Sequence, residues 1–120
     1  MLNVGLDWSE ERHDFEVLDD AGGRLKQGRV SADAAGLSRF HEILAGLAED
    51  SGQVAIAIES GQGLWVNALV GAGYLIYPIN PMMSARAREG SSVSRSKSDR
   101  GDAHLLAELM RTRRHELRAL

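Results

Sequence analysis

At 120 residues and 43% apolar composition, the chain is large enough for one hydrophobic core, too short for two, and too apolar for a disordered segment. It has no cysteine, which excludes a disulfide framework and a thiolate zinc site. The net charge of −3 conceals a divide: residues 1–80 carry five basic and twelve acidic side chains, residues 81–120 nine basic and five acidic, which suits equally a polyanion met mainly by the second part and a solvated charged helix and loop.

No apolar run reaches membrane-spanning length, and an opening that contains an acid is no signal peptide. A soluble, cytoplasmic protein with no membrane partner is therefore expected.

In Leu2-Asn3-Val4-Gly5-Leu6-Asp7 apolar and polar residues alternate with the period of a β-strand, so Asp7 closes a first strand at its carboxyl end. Gly5 lies on the same face as Asp7 and has no side chain to hold another element away. A second strand is predicted over His13–Leu18, a turn over Asp19–Gly23 and a third strand over Arg24–Val30, together an antiparallel meander. Ser31 or Asp33 can cap a helix whose Leu37, Phe40, Leu44 and Leu47 recur at helical spacing, with Gly52 beyond its end.

Val54-Ala55-Ile56-Ala57-Ile58 is continuously apolar, as expected of a strand buried on both faces in a parallel arrangement, and it too ends in an acid, Glu59. Ala55, Ala57 and Glu59 share one face, so a helix can pack close over both this strand and the first. A short helix from about Gln62 to Val70 and a fifth strand over Tyr74–Tyr77 follow, with Pro78 and Asn80-Pro81 as stops. Met82 to Ser98 is rich in serine and basic residues and shows no strand period, which predicts a poorly ordered, electropositive loop. Asp99 to Leu117 reads as the last helix.

A meander followed by crossovers gives a mixed five-stranded sheet flanked by helices, an α/β fold whose first and fourth strands lie side by side and parallel. Asp7 and Glu59 then become neighbours. Asp99 and Asp102 are three apart on one helical face. Alone, that pair reads as helix capping, and Asp7 alone as the start of a turn. Four acids meeting would repel by several kcal/mol, at about 3 kcal/mol per pair ~5 Å apart, unless a cation neutralised them. Oxygen ligands without cysteine point to magnesium or manganese. Two such ions activate a nucleophile and stabilise the leaving oxygen of a phosphodiester.

The set Val4-Gly5-Leu6-Asp7-Trp8-Ser9 with a following His13, Ala57-Ile58-Glu59-Ser60, Ile79-Asn80-Pro81 and Lys97-Ser98-Asp99-Arg100-Gly101-Asp102-Ala103 resembles the DEDD transposases. These are bacterial insertion-sequence recombinases related to the Piv DNA invertase, some of them guided by a bridge RNA. The resemblance spans essentially the whole chain. It implies a ribonuclease H-like, RuvC-like fold and metal-dependent DNA cleavage and transfer at a two-metal site of Mg2+ or Mn2+. It makes Asp7, Glu59, Asp99 and Asp102 the catalytic metal ligands. It also implies a bacterial, nucleoid-associated setting, DNA and in some members a guide RNA as partners, and a homo-oligomer in the full-length protein. Family members continue into a second domain with a serine implicated in strand cleavage, so residues 1–120 are expected to be the catalytic domain of a longer protein.

Arg86, Arg88, Arg95, Lys97 and Arg100 are the expected phosphate contacts. His13 could lie near the site, but His13, His41, His104 and His115 lack ligand spacing and read as packing or surface histidines. Trp8 and Trp65 read as packing residues before base-stacking ones. Other readings are a RuvC-like structure-selective nuclease or junction resolvase, a sugar-kinase or actin-like nucleotide domain, and a non-catalytic dimerisation module. The nucleotide domain needs a second phosphate loop and an adenosine-binding half, for which 120 residues leave no room.

Overall fold

Alternation in the first strand divides its residues between two different partners, and that division sets the architecture. The computed structural model describes residues 1–59, 63–90 and 99–120. Strands β1 (Leu2–Asp7), β2 (Arg12–Leu18), β3 (Arg24–Ser31), β4 (Val54–Ile58) and β5 (Leu75–Pro78) form one sheet in the order β3-β2-β1-β4-β5. The first three make the expected antiparallel meander, and β1, β4 and β5 run parallel. All five residues of β4 are buried, because both neighbours are strands and both faces are covered, which is why its sequence shows no alternation.

Val4, Leu6, Phe15, Val17, Val54, Ile56 and Ile58 point to one face and pack with Phe40 and Leu44 of α1 (Ala34–Leu47) and Trp65, Val66 and Leu69 of α2 (Leu64–Gly71). Each such side chain contributes about 1.5–3 kcal/mol when fully removed from water. Trp65 further donates its indole N–H to the Ala32 carbonyl at 3.0 Å, tying α2 to the end of β3. The other face is built from small residues. Ala55 and Ala57 meet Leu106, Leu109 and Met110 of α4 (Asp99–Arg113), together with Tyr77 and Ile79.

Gly5 is the closest point of that second interface. A Cβ there would stand 2.0 Å from the Ala103 carbonyl oxygen and 2.5 Å from the Ala107 nitrogen, so α4 rests on the bare backbone of β1. Past the far end of α4, Arg114 donates to Asn3, which is fully buried and in turn donates to Asp20 at 2.9 Å. That bond holds the Asp20 carboxyl below the usual carboxylate range. The helix is thus fixed at both ends across the sheet.

One expectation is overturned. Residues 82–90 are not loop but most of α3 (Pro81–Gly90). Asn80 starts this helix by accepting the Met82 N–H on its side chain at 2.8 Å, and its carbonyl accepts from Met83 and Ser84. Pro81 supplies the fixed φ favoured at a first helical position, so the pair read as a strand stop is also a helix start. The rest of the expected loop, including Arg95 and Lys97, lies outside the described residues.

Gly36 in the first turn of α1 makes another close approach, since a Cβ there would lie 1.6 Å from the Ser31 carbonyl oxygen. Alanine is the better helix former by about 1 kcal/mol, but crowding of this kind costs about 1–3 kcal/mol. Gly36→Ala is therefore expected to lower the melting temperature, and a rise in a thermal melt would show that α1 does not start against β3 in this way.

Candidate active site

Asp7 is the last residue of β1, and Glu59 follows the last residue of β4. The parallel register pairs Gly5 with Ala57, so two residues further along both chains Asp7 and Glu59 stand at adjacent strand tips. Neighbouring strands are about 4.8 Å apart. Across β1 on its other side, Asp14 of β2 is paired with Asp7 in the antiparallel register. Asp102 arrives from a third direction, in the first turn of α4, directly before the Ala103 carbonyl that touches Gly5. The missing side chain at Gly5 is thus what lets α4 bring Asp102 down to the sheet.

Helix α3 supplies the polar partners. Ser84 is fully buried, and its hydroxyl lies within hydrogen-bonding distance of Glu59 Oε2 and of the Pro81 carbonyl, 3.0 Å from each. One turn on, Arg88 Nε sits 3.0 Å from Asp102 Oδ1, and Arg88 Nη2 sits 3.7 Å from Glu59 Oε1. Glu59 and Asp102 are therefore no further apart than one guanidinium and two ion pairs allow. Both are accessible, with side-chain exposures of 28% and 27%, so an ion or substrate can reach them from solvent.

Asp14 differs from these. It is only 2% exposed and is gripped by Arg29 at 2.8 and 3.5 Å. Glu16, also 2% exposed, lies 2.5 Å from His104 of α4 and 3.6 Å from Arg24. These two acids lock β2 to its neighbours.

Of the four acids picked out in the sequence, the structure brings Glu59 and Asp102 around one cation and puts Asp7 at the adjoining strand tip. Asp99 and Arg100 open α4, but their side chains fall outside the described residues. Arg86 is exposed and turns toward Met82 rather than toward the acids. Arg88, expected on phosphate, is instead paired with carboxylates.

His13 is a packing residue. It is wedged between Trp8 and Trp65, with ring centroids at 4.3 and 4.7 Å, and its Nδ1 accepts the Ser9 N–H at 3.2 Å. Burial pushes its pKa down, so its neutral form is favoured, and the accepted hydrogen bond leaves the proton on Nε2. Sequence reasoning missed Ser84 and Asp14. The signal for Asp14 was present in the alternation of β2, where acids fall on the face away from Phe15 and Val17.

Among the described residues, no group of three or more acids or histidines is drawn close enough to hold a metal ion. The donor set is nevertheless all oxygen, and a guanidinium already stands as a cation between two of its members, so a hard divalent ion suits it.

A family profile for transposases of the DEDD, IS110 type matches residues 4–120. The chain belongs to this DEDD transposase family. A relative named as the mini-circle transposase for IS117, from Streptomyces coelicolor, is 40% identical over 117 residues, which cover 97% of this chain and 28% of that protein. Another, named as the transposase y4uE of Sinorhizobium fredii, is 29% identical over 114 residues, covering 91% of this chain and 31% of its own length. The DEDD transposase chain described here thus spans less than a third of either relative.

In fold it is similar to T. thermophilus RuvC, solved in complex with a Holliday junction substrate, with a TM-score of 0.64 at 16% identity over 100% of this chain and 99% of that one. That likeness establishes the RuvC-like, ribonuclease H-like α/β fold of this DEDD transposase domain. Among the described residues, no helix is long and apolar enough to cross a membrane.

Proposed function

We propose that residues 1–120 are the catalytic domain of a longer insertion-sequence transposase, and that Asp7, Glu59, Asp99 and Asp102 together hold two Mg2+ or Mn2+ ions for cleavage and transfer of DNA strands. The observation that carries this reading is the shared cation. Glu59 and Asp102 come from distant parts of the chain, yet one guanidinium contacts both beside the tip of β1. A merely capping Asp102 has no reason to meet a strand-end acid there. Such ions, when bound, activate the attacking oxygen and stabilise the leaving oxygen of a phosphodiester.

The chain's own residues position that chemistry. Ser84 fixes one oxygen of Glu59, and Gly5 admits the helix that carries Asp102. Arg86, Arg95, Lys97 and Arg100 supply positive charge for the DNA backbone, while Arg88, one of the expected phosphate contacts, is engaged by the acids. The setting is the bacterial cytoplasm, at the nucleoid. Self-association and any guide RNA belong to the full-length protein, as does the serine of its second domain.

Full-length transposase incubated with its transposon-end DNA should cleave in Mg2+ or Mn2+ and not in EDTA, read as nicked product on a denaturing gel. Asp7→Asn should bring cleavage down to the EDTA level. Retained cleavage by Asp7→Asn would refute the assignment. Efficient cutting of a four-way junction by residues 1–120 alone would favour a junction resolvase instead.

A further inference from the structure

The acidic tip of the sheet already has a cation built into it. Arg88 reaches from α3 to Asp102 at 3.0 Å and to Glu59 at 3.7 Å. Its position is not a surface accident. One turn earlier the fully buried Ser84 is bonded to the same Glu59, while Met83 and Ala87 pack against the apolar cluster under α4. Arg86, two residues before Arg88, lies about 160° away round the helix axis, on nearly the opposite side, and contacts Met82. The fold thus selects one arginine of α3 and holds it on the two acids.

Geometry makes this occupant a competitor. Mg2+ draws its oxygens to about 2.0–2.1 Å, and the guanidinium already engages Glu59 Oε1 and Asp102 Oδ1, oxygens that a shared ion would need, so both cations cannot hold them at once. We propose that Arg88 is the resident counter-cation of the metal-free site, and that divalent metal binding is an exchange in which its guanidinium leaves Glu59 and Asp102. The inference rests on the reading of these acids as metal ligands.

Titration of this chain with Mn2+, following free ion by electron paramagnetic resonance and the fold by circular dichroism, tests it without DNA. Arg88→Gln should bind Mn2+ about tenfold more tightly than the wild type, the equivalent of two partly exposed ion pairs no longer broken on binding. Arg88→Lys replaces a two-edged contact by a point charge and should tighten binding roughly threefold. It serves as the decisive variant if Arg88→Gln does not fold. Equal affinities in folded wild type and variants would overturn the exchange while leaving the metal site in place. Weaker binding in the variants would also overturn it, because Arg88 would then position the ligands rather than compete for them. Absence of saturable Mn2+ binding in all three would remove the metal-site reading itself, and the exchange with it.

Discussion

Gly5→Val is expected to unfold the domain or leave it at least about 3 kcal/mol less stable, the upper range for forcing extra atoms into a packed interior. The reason is the nature of what the new side chain meets. A Cβ at Gly5 falls 2.0 Å from a backbone oxygen and 2.5 Å from a backbone nitrogen of α4, and neither can rotate aside as a side-chain tip would. Relief requires the helix to lift, which exposes Leu106 and Met110 and carries Asp102 away from Glu59. Gly46 offers the opposite case. It lies in α1 with nothing within 4 Å of its Cβ position, so Gly46→Ala should be neutral or stabilise by up to about 1 kcal/mol through helix propensity. Chemical denaturation of both variants reads the contrast. A Gly5→Val protein as stable as the wild type would mean that α4 does not rest on β1.

The same glycine shows what kind of information the sequence carried. Absence of a side chain beside an acid at a strand end, repeated as Ala55 and Ala57 before Glu59, foretold a close helix on that face, and α4 is there. The pairing of β1 with β4 was legible because the uniformly apolar β4 called for cover on both faces in a parallel arrangement, while the meander followed from short turns. Helix α3 was not legible as read. Serine and arginine outweighed the Asn80-Pro81 start signal, and the helix draws its stability from Ser84, Met83 and Ala87 facing the protein, contacts that no local pattern reveals.

The role of Arg88 was hidden for a related reason. A positive residue in a basic stretch suggests phosphate, and only the packing of α3 beside α4 shows that acids are nearer. Asp14 and Glu16 were passed over because acids in an alternating strand normally face water. Here α4 covers that face, and each acid is buried with a basic partner.

That distinction between two kinds of acid on one face leads to an expected double dissociation. Glu59 is open to solvent, and its 3.7 Å pair with Arg88 is a loose one, worth at most about 1 kcal/mol for a pair of this exposure. Glu59→Gln loses that contact but also relieves repulsion from neighbouring Asp7 and Asp102, so the melting temperature without metal should change little. Its response to metal should vanish. Wild-type protein at a Mn2+ concentration a hundredfold above Kd gains about 2.7 kcal/mol, because the ion binds the folded state and not the unfolded one. Glu59→Gln should gain almost none of it.

Glu16→Gln should do the reverse. Glu16 is buried beneath α4 and accepts a charge-assisted contact from His104 at 2.5 Å with Arg24 beside it, so neutralising it should cost about 1–3 kcal/mol without metal. The increment from Mn2+ should stay close to that of the wild type, since Glu16 lies two residues beyond Asp14 along β2, away from the strand tip. Thermal melts of the three proteins with and without Mn2+ decide the matter. If Glu59→Gln loses stability in the absence of metal and keeps the full metal increment, Glu59 is a structural acid like Glu16, and the strand tips are not a metal site.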